Sequence, residues 1–74
     1  MSIPTPFCGW RHGRFYLRTS SGYQECLSGP RITIVKTLRK LLPAWHRVAV
    51  EKEDGEITAL IEKQMVALDL EVPS

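Results

Sequence analysis

The sequence predicts a small α+β protein, mostly β, with one short helix per chain, and three observations carry that expectation. Runs at 14–19, 23–27 and 46–53 are rich in aromatic and β-branched residues or alternate apolar with polar ones, as half-buried strands do. Asp54-Gly55 separates two such runs, and both residues accept the positive φ of a tight hairpin turn. Leu38, Leu41 and Leu42 fall at helical spacing with Arg39 and Lys40 turned outward, which places one short helix.

Taken in order, the start Met-Ser-Ile-Pro-Thr-Pro-Phe-Cys has two prolines and no basic stretch, so it reads as a loose N-terminus rather than a secretory signal. Gly13 to Leu27 reads as a hairpin around Ser20-Ser21-Gly22, with Phe15 and Leu17 on one face. Ser28-Gly29-Pro30 is the next turn. Ile32 and Ile34 then alternate as in a strand that runs into the short helix, and Pro43 is expected to stop that helix. His46 to Glu53 follows as a strand with Val48 and Val50 on one face. Residues 56–63 carry two patterns at once. They complete a hairpin across Asp54-Gly55, yet Ile57, Leu60, Ile61, Met65 and Leu68 form a helical stripe, which periodicity alone favours.

A chain of 74 residues makes one small domain and buries only about 60% of its unfolded surface. A homodimer would relieve that shortage of core. No apolar stretch approaches the roughly 18 residues of a membrane span, so no membrane association is expected and the expected location is cytoplasmic. Cys8 and Cys26 permit one disulfide but would stay thiols in a reducing compartment. With His12 and His46 they match no recognised zinc spacing, so no metal and no cofactor are expected. No catalytic constellation or phosphate-cradling glycine loop appears, so the chain does not read as an enzyme.

Charge is strongly segregated. Residues 1–47 hold eight Lys or Arg against Glu25 alone, a net +7, while residues 48–74 hold two Lys against seven acids, a net −5. A basic half of this density suits a polyanion, since each neutralised phosphate releases counterions. It also suits mutual neutralisation of the two halves within one fold. Within the basic half, Trp10 to Arg18 interleaves aromatics with Arg11, Arg14 and Arg18, which either stack bases or widen a basic surface.

The run Ser28-Gly29-Pro30-Arg31-Ile32-Thr33-Ile34-Val35-Lys36-Thr37-Leu38-Arg39-Lys40-Leu41-Leu42, followed by Arg47-Val48-Ala49-Val50 and Asp54-Gly55-Glu56-Ile57, resembles the AbrB/MazE swapped-hairpin family over residues 24–63. The resemblance implies a strand at 56–63 and a homodimer whose hairpins interlock into a small AbrB-like barrel. It divides the chain into an N-terminal β extension (1–22), the AbrB-like domain (23–64) and a C-terminal strand or tail (65–74). It places DNA contacts at Arg31, Arg39 and Lys40, and Lys36 joins them by proximity. The tail reads either as a closing strand or as a partner-binding segment through Leu68, Leu70 and Val72, in the way antitoxin tails of that family wrap a cognate toxin. The expected function is a dimeric regulator or antitoxin-like protein that occupies operator sites on double-stranded DNA. The alternative is a small phage- or plasmid-type inhibitor or adaptor that binds a host protein and no DNA.

Overall fold

The computed structural model describes residues 5–72. In chain order they form β1 (Phe7–Arg11), β2 (Arg14–Arg18), β3 (Gln24–Leu27), α1 (Arg31–Glu51) and α2 (Gly55–Ala67). The class is α+β, but helix outweighs strand, with 21 and 13 residues in α1 and α2 against strands of 5, 5 and 4. The expectation of a mostly β chain with one short helix is therefore corrected.

The strands form an open antiparallel sheet in the order β1-β2-β3. His12-Gly13 joins β1 to β2 with both residues at positive φ, 53° and 73°, the two-residue turn whose twist suits paired strands. The hairpin expected between Gly13 and Leu27 forms as β2 and β3, closed where the Thr19 N–H donates to the Tyr23 carbonyl at 2.9 Å. β1 extends the sheet back to Phe7, so residues on both sides of position 22 share it. Pairing of Cys8 with Leu17, Trp10 with Phe15 and Phe15 with Leu27 puts these side chains on one inner face. Phe15 is its centre, edge-on to Trp10 at 5.4 Å and stacked on Trp45 of α1 at 6.5 Å.

Residues 31–51 are one continuous helix, which corrects the strand at Ile32–Ile34, the stop at Pro43 and the strand at 46–53. The reason is visible in what is buried: Ile34, Leu38, Leu42, His46 and Ala49 form a single stripe at helical spacing. The strand reading put Val48 and Val50 inside, yet they are 48% and 53% exposed while Ala49 between them is 6% exposed. Pro43 lies off this stripe. It is only partly buried, and lacking an N–H it leaves the Arg39 carbonyl without its helical partner, a cost the long buried stripe of α1 outweighs.

Residues 56–63 are helical as their periodicity indicated, with Ile57, Ile61 and Met65 buried, and not the return strand implied by the resemblance. Asp54-Gly55 starts α2 rather than turning a hairpin. Asp54 is the N-cap, accepting from the Ile57 N–H at 3.4 Å. The swapped hairpin and barrel, which need strands on both sides of this dipeptide, do not form among the described residues.

Both helices end alike. At α1, Glu53 takes φ 55°, its N–H donates to the Val50 carbonyl and the Asp54 N–H donates to that of Ala49. At α2, Asp69 takes φ 61°, with Asp69 donating to Val66 and Leu70 to Met65. These are Schellman closures, in which a left-handed residue lets two N–H groups satisfy the last carbonyls. An acid in that conformation is costly, and Glu53 also places negative charge at the negative end of α1. Replacing Glu53 with Gly is thus expected to stabilise the fold by about 1 kcal/mol and raise Tm by roughly 4–8 °C in thermal melts. An unchanged or lower Tm would contradict this account.

The helices pack on the inner sheet face, giving two layers in a slab with extents of 35 × 31 × 15 Å. α1 and α2 are pinned by buried His46, whose Nε2 lies 2.8 Å from Glu62 Oε2. α2 runs beside β1, and the Gln64 side-chain amide donates to the Cys8 carbonyl at 3.1 Å, occupying an acceptor on that sheet edge. Ten apolar side chains are buried in one core cluster, so a core closes within a single chain. The tail residues Leu68, Leu70 and Val72 are partly buried against this same core. They form no strand, because α2 continues to Ala67 and the chain then turns back at Asp69. Among the described residues no helix is long and apolar enough to cross a membrane.

Candidate nucleic-acid interface

Strand alternation determines which side chains face away from the core. With Cys8, Trp10, Phe15, Leu17 and Leu27 turned inward, the outer face carries Phe7, Gly9 and Arg11 from β1, Arg14, Tyr16 and Arg18 from β2, and Gln24 and Cys26 from β3. It contains three arginines and no carboxylate. Glu25 lies on the opposite face, where it accepts a 2.6 Å hydrogen bond from the Tyr23 hydroxyl. That bond raises the Tyr23 phenol above its usual range.

The outer face holds a shallow depression lined by Phe7, Arg11, Tyr16, Arg18, Gln24 and Cys26, with Leu17 and the acid Glu25 reaching its rim. The Arg11 guanidinium lies 4.8 Å from the Phe7 ring centroid, a cation–π contact that holds it over the strand. Arg18 is half-buried, opposite Phe7 on one side and Gln24 on the other, and its Nε is shielded from solvent with no hydrogen-bond acceptor. A shielded N–H on a permanent cation without an acceptor is energetically costly.

The four DNA-contact residues expected from the sequence all lie on α1, but not as one cluster. Lys36, Arg39 and Lys40 project from its exposed side, joined one turn beyond Pro43 by Arg47. Arg31 is separate, with its guanidinium 4.5 Å from the Trp10 ring centroid. The exposed side of α1 and the outer side of the sheet belong to opposite faces of the slab, so one straight duplex does not lie across both. Only Arg31 falls in the first turn of α1, which holds no acid, and its charge there opposes the helix dipole.

What sequence reasoning left unassembled is the outer sheet face. Arg11, Arg14 and Arg18 were visible as basic residues, but only the strand register shows that they share one face of the sheet. The two cysteines divide the same way, Cys8 inward and Cys26 outward. Burial pushes the Cys8 thiol up to about 12, so almost none of it is thiolate at pH 8. Folded protein is therefore expected to give one fast-reacting thiol per chain with an aromatic disulfide reagent, at Cys26, and a second only in denaturant. Two fast thiols in native buffer would contradict the burial of Cys8.

Comparison with protein-family models, with curated proteins and with solved structures finds no match to this chain.

Proposed function

We propose that the protein is a small DNA-binding regulator that acts by occupying operator sites, with the outer sheet face as its contact to double-stranded DNA. The observation that carries this reading is a sheet face on which the strand register places Arg11, Arg14 and Arg18 together, with Glu25 the acid that also lines its depression. Three strands at about 4.8 Å spacing span roughly 10 Å, which suits the approximately 12 Å width of a B-DNA major groove. Arginine offers planar bidentate bonds to guanine edges or phosphates, and Gln24 offers the donor–acceptor pair that matches adenine. Two copies about a two-fold axis would present two such faces to successive half-sites. The reading does not lean on the AbrB/MazE resemblance, whose strand positions are helical here.

The test is binding to random duplex DNA across a salt series, with Cys26 alkylation followed in parallel and molar mass measured on the free protein. Affinity that falls steeply with salt, together with protection of Cys26 by duplex, is expected. Preference for single strands would make Phe7 and Tyr16 a stacking platform instead. No affinity even at low salt would leave the rival reading, a small protein-binding inhibitor or adaptor, which the exposed Ile32, Val48, Val50 and Val66 favour.

A further inference from the structure

The two layers do not close at one end. Where the β2–β3 turn faces the C-terminal part of α1 and the start of α2, a cavity of about 300 Å³ opens between the inner sheet face and the helices. Leu17, Trp45, Ile57 and Ile61 contribute apolar walls, and Tyr23 and Lys52 stand among the residues at its edge. Tyr23 and Val48 line it yet remain 51% and 48% exposed, so neither side chain closes it off from solvent. β3 begins only at Gln24 and is four residues long, so the sheet supplies no further strand to fill the space.

The chemistry of the lining defines what fits. A volume at the lower end of small-molecule sites accommodates roughly a two-ring ligand, and the indole of Trp45 with the phenol ring of Tyr23 favours a flat aromatic one. Charge at the edge comes from Lys52 and Asp54, and beside it Glu25 accepts a 2.6 Å hydrogen bond from the Tyr23 hydroxyl. Asp54 is already engaged, its Oδ1 accepting from the Ile57 N–H at 3.4 Å and from the Ser20 hydroxyl at 3.3 Å. Lys52 has no carboxylate within ion-pair distance among the described residues. The Thr19 and Ser21 hydroxyls, 2.8 Å from each other, add further hydrogen-bonding capacity.

We infer that this cavity is a binding site for a planar aromatic carboxylate of about two fused rings, its ring system between Trp45 and Tyr23 and its carboxylate on the Lys52 ammonium. The site is separate from the outer sheet face and does not depend on the DNA reading. It deforms little on binding, because Leu17, Ile57 and Ile61 are held in the core whether or not the cavity is filled.

The experiment titrates the full chain with 2-naphthoate, following tryptophan fluorescence and backbone amide NMR shifts, alongside neutral 2-naphthylmethanol and cationic 2-naphthylmethylamine. Saturable naphthoate binding with shifts at Trp45, Tyr23 and Lys52 is expected, with the neutral probe weaker and the cation weakest. Lys52→Gln, an exposed change that leaves the core intact, should weaken naphthoate about tenfold and leave naphthylmethanol unchanged. The inference is overturned by naphthoate binding that does not saturate, by equal binding of the cation, by undiminished affinity in Lys52→Gln, or by shifts confined to another surface.

Discussion

Replacing Arg11, Arg14 and Arg18 together with alanine is expected to lower affinity for duplex DNA about a hundredfold or more at moderate salt. The slope of log affinity against log salt should fall by up to about 3, since each lost phosphate contact removes close to 0.9. None of the three makes an ion pair with a carboxylate among the described residues, and all sit on the outer face, so the fold should survive. The informative control carries the same charge change on the other face of the slab: Lys36→Ala, Arg39→Ala and Lys40→Ala on α1. That triple variant should lose only a few-fold affinity through net charge. If the helix variant loses as much as the sheet variant, the specific contact of the sheet is refuted and charge alone governs binding. If it loses more, the contact lies on α1, as the sequence suggested.

Phe15→Ala should remove most of the stability. The ring is fully buried, edge-on to Trp10 of the neighbouring strand and stacked on Trp45 of α1, so one aromatic contact holds it in the sheet and the other joins the sheet to α1. Truncating a buried phenylalanine costs about 3–5 kcal/mol, and aromatic pairing adds roughly 0.5–1.5 kcal/mol that alanine cannot replace. A domain of this length has about 4–11 kcal/mol in total. Urea unfolding should therefore show a midpoint shifted far toward zero, with the variant partly unfolded at 37 °C. Phe15→Leu, which keeps most of the volume, should cost much less. A loss below 1 kcal/mol for the alanine variant would mean that the core is organised around another residue.

The β2–β3 hairpin was legible in the sequence because its inward residues, Phe15 and Leu17, alternate with arginine and tyrosine and its turn holds Gly22 at φ 95°. β1 was obscured by Gly9 and by the prolines before it, although His12-Gly13 is a two-residue turn of the favoured kind. α1 was missed for a physical reason. Short windows at 31–35 and 46–50 alternate like strands, and the helical stripe appears only over about twenty residues, with buried His46 counted among its apolar members. Proline then looked like a stop because its place off the buried stripe cannot be known before the stripe is seen. For α2 the stripe was plain, but Asp-Gly serves equally as hairpin turn and as helix start, and the family pattern decided between them wrongly. The basic half was legible as composition; its division between two faces was not, since that depends on strand register.

The edge contact between α2 and β1 bears on how the chain folds. Every other pair of elements whose backbones approach closely is consecutive along the chain: β1 with β2, β2 with β3, α1 with α2. Such local pairings close short loops and form quickly, so a meander and a helical hairpin can each assemble on its own part of the chain. Joining Gln64 to Cys8 is different, for it spans 56 positions and closes nearly the whole chain into a ring. The entropy of that closure is recovered only when the two halves dock, so β1 is held in place by a contact between the two ends of the chain as well as by its pairing with β2.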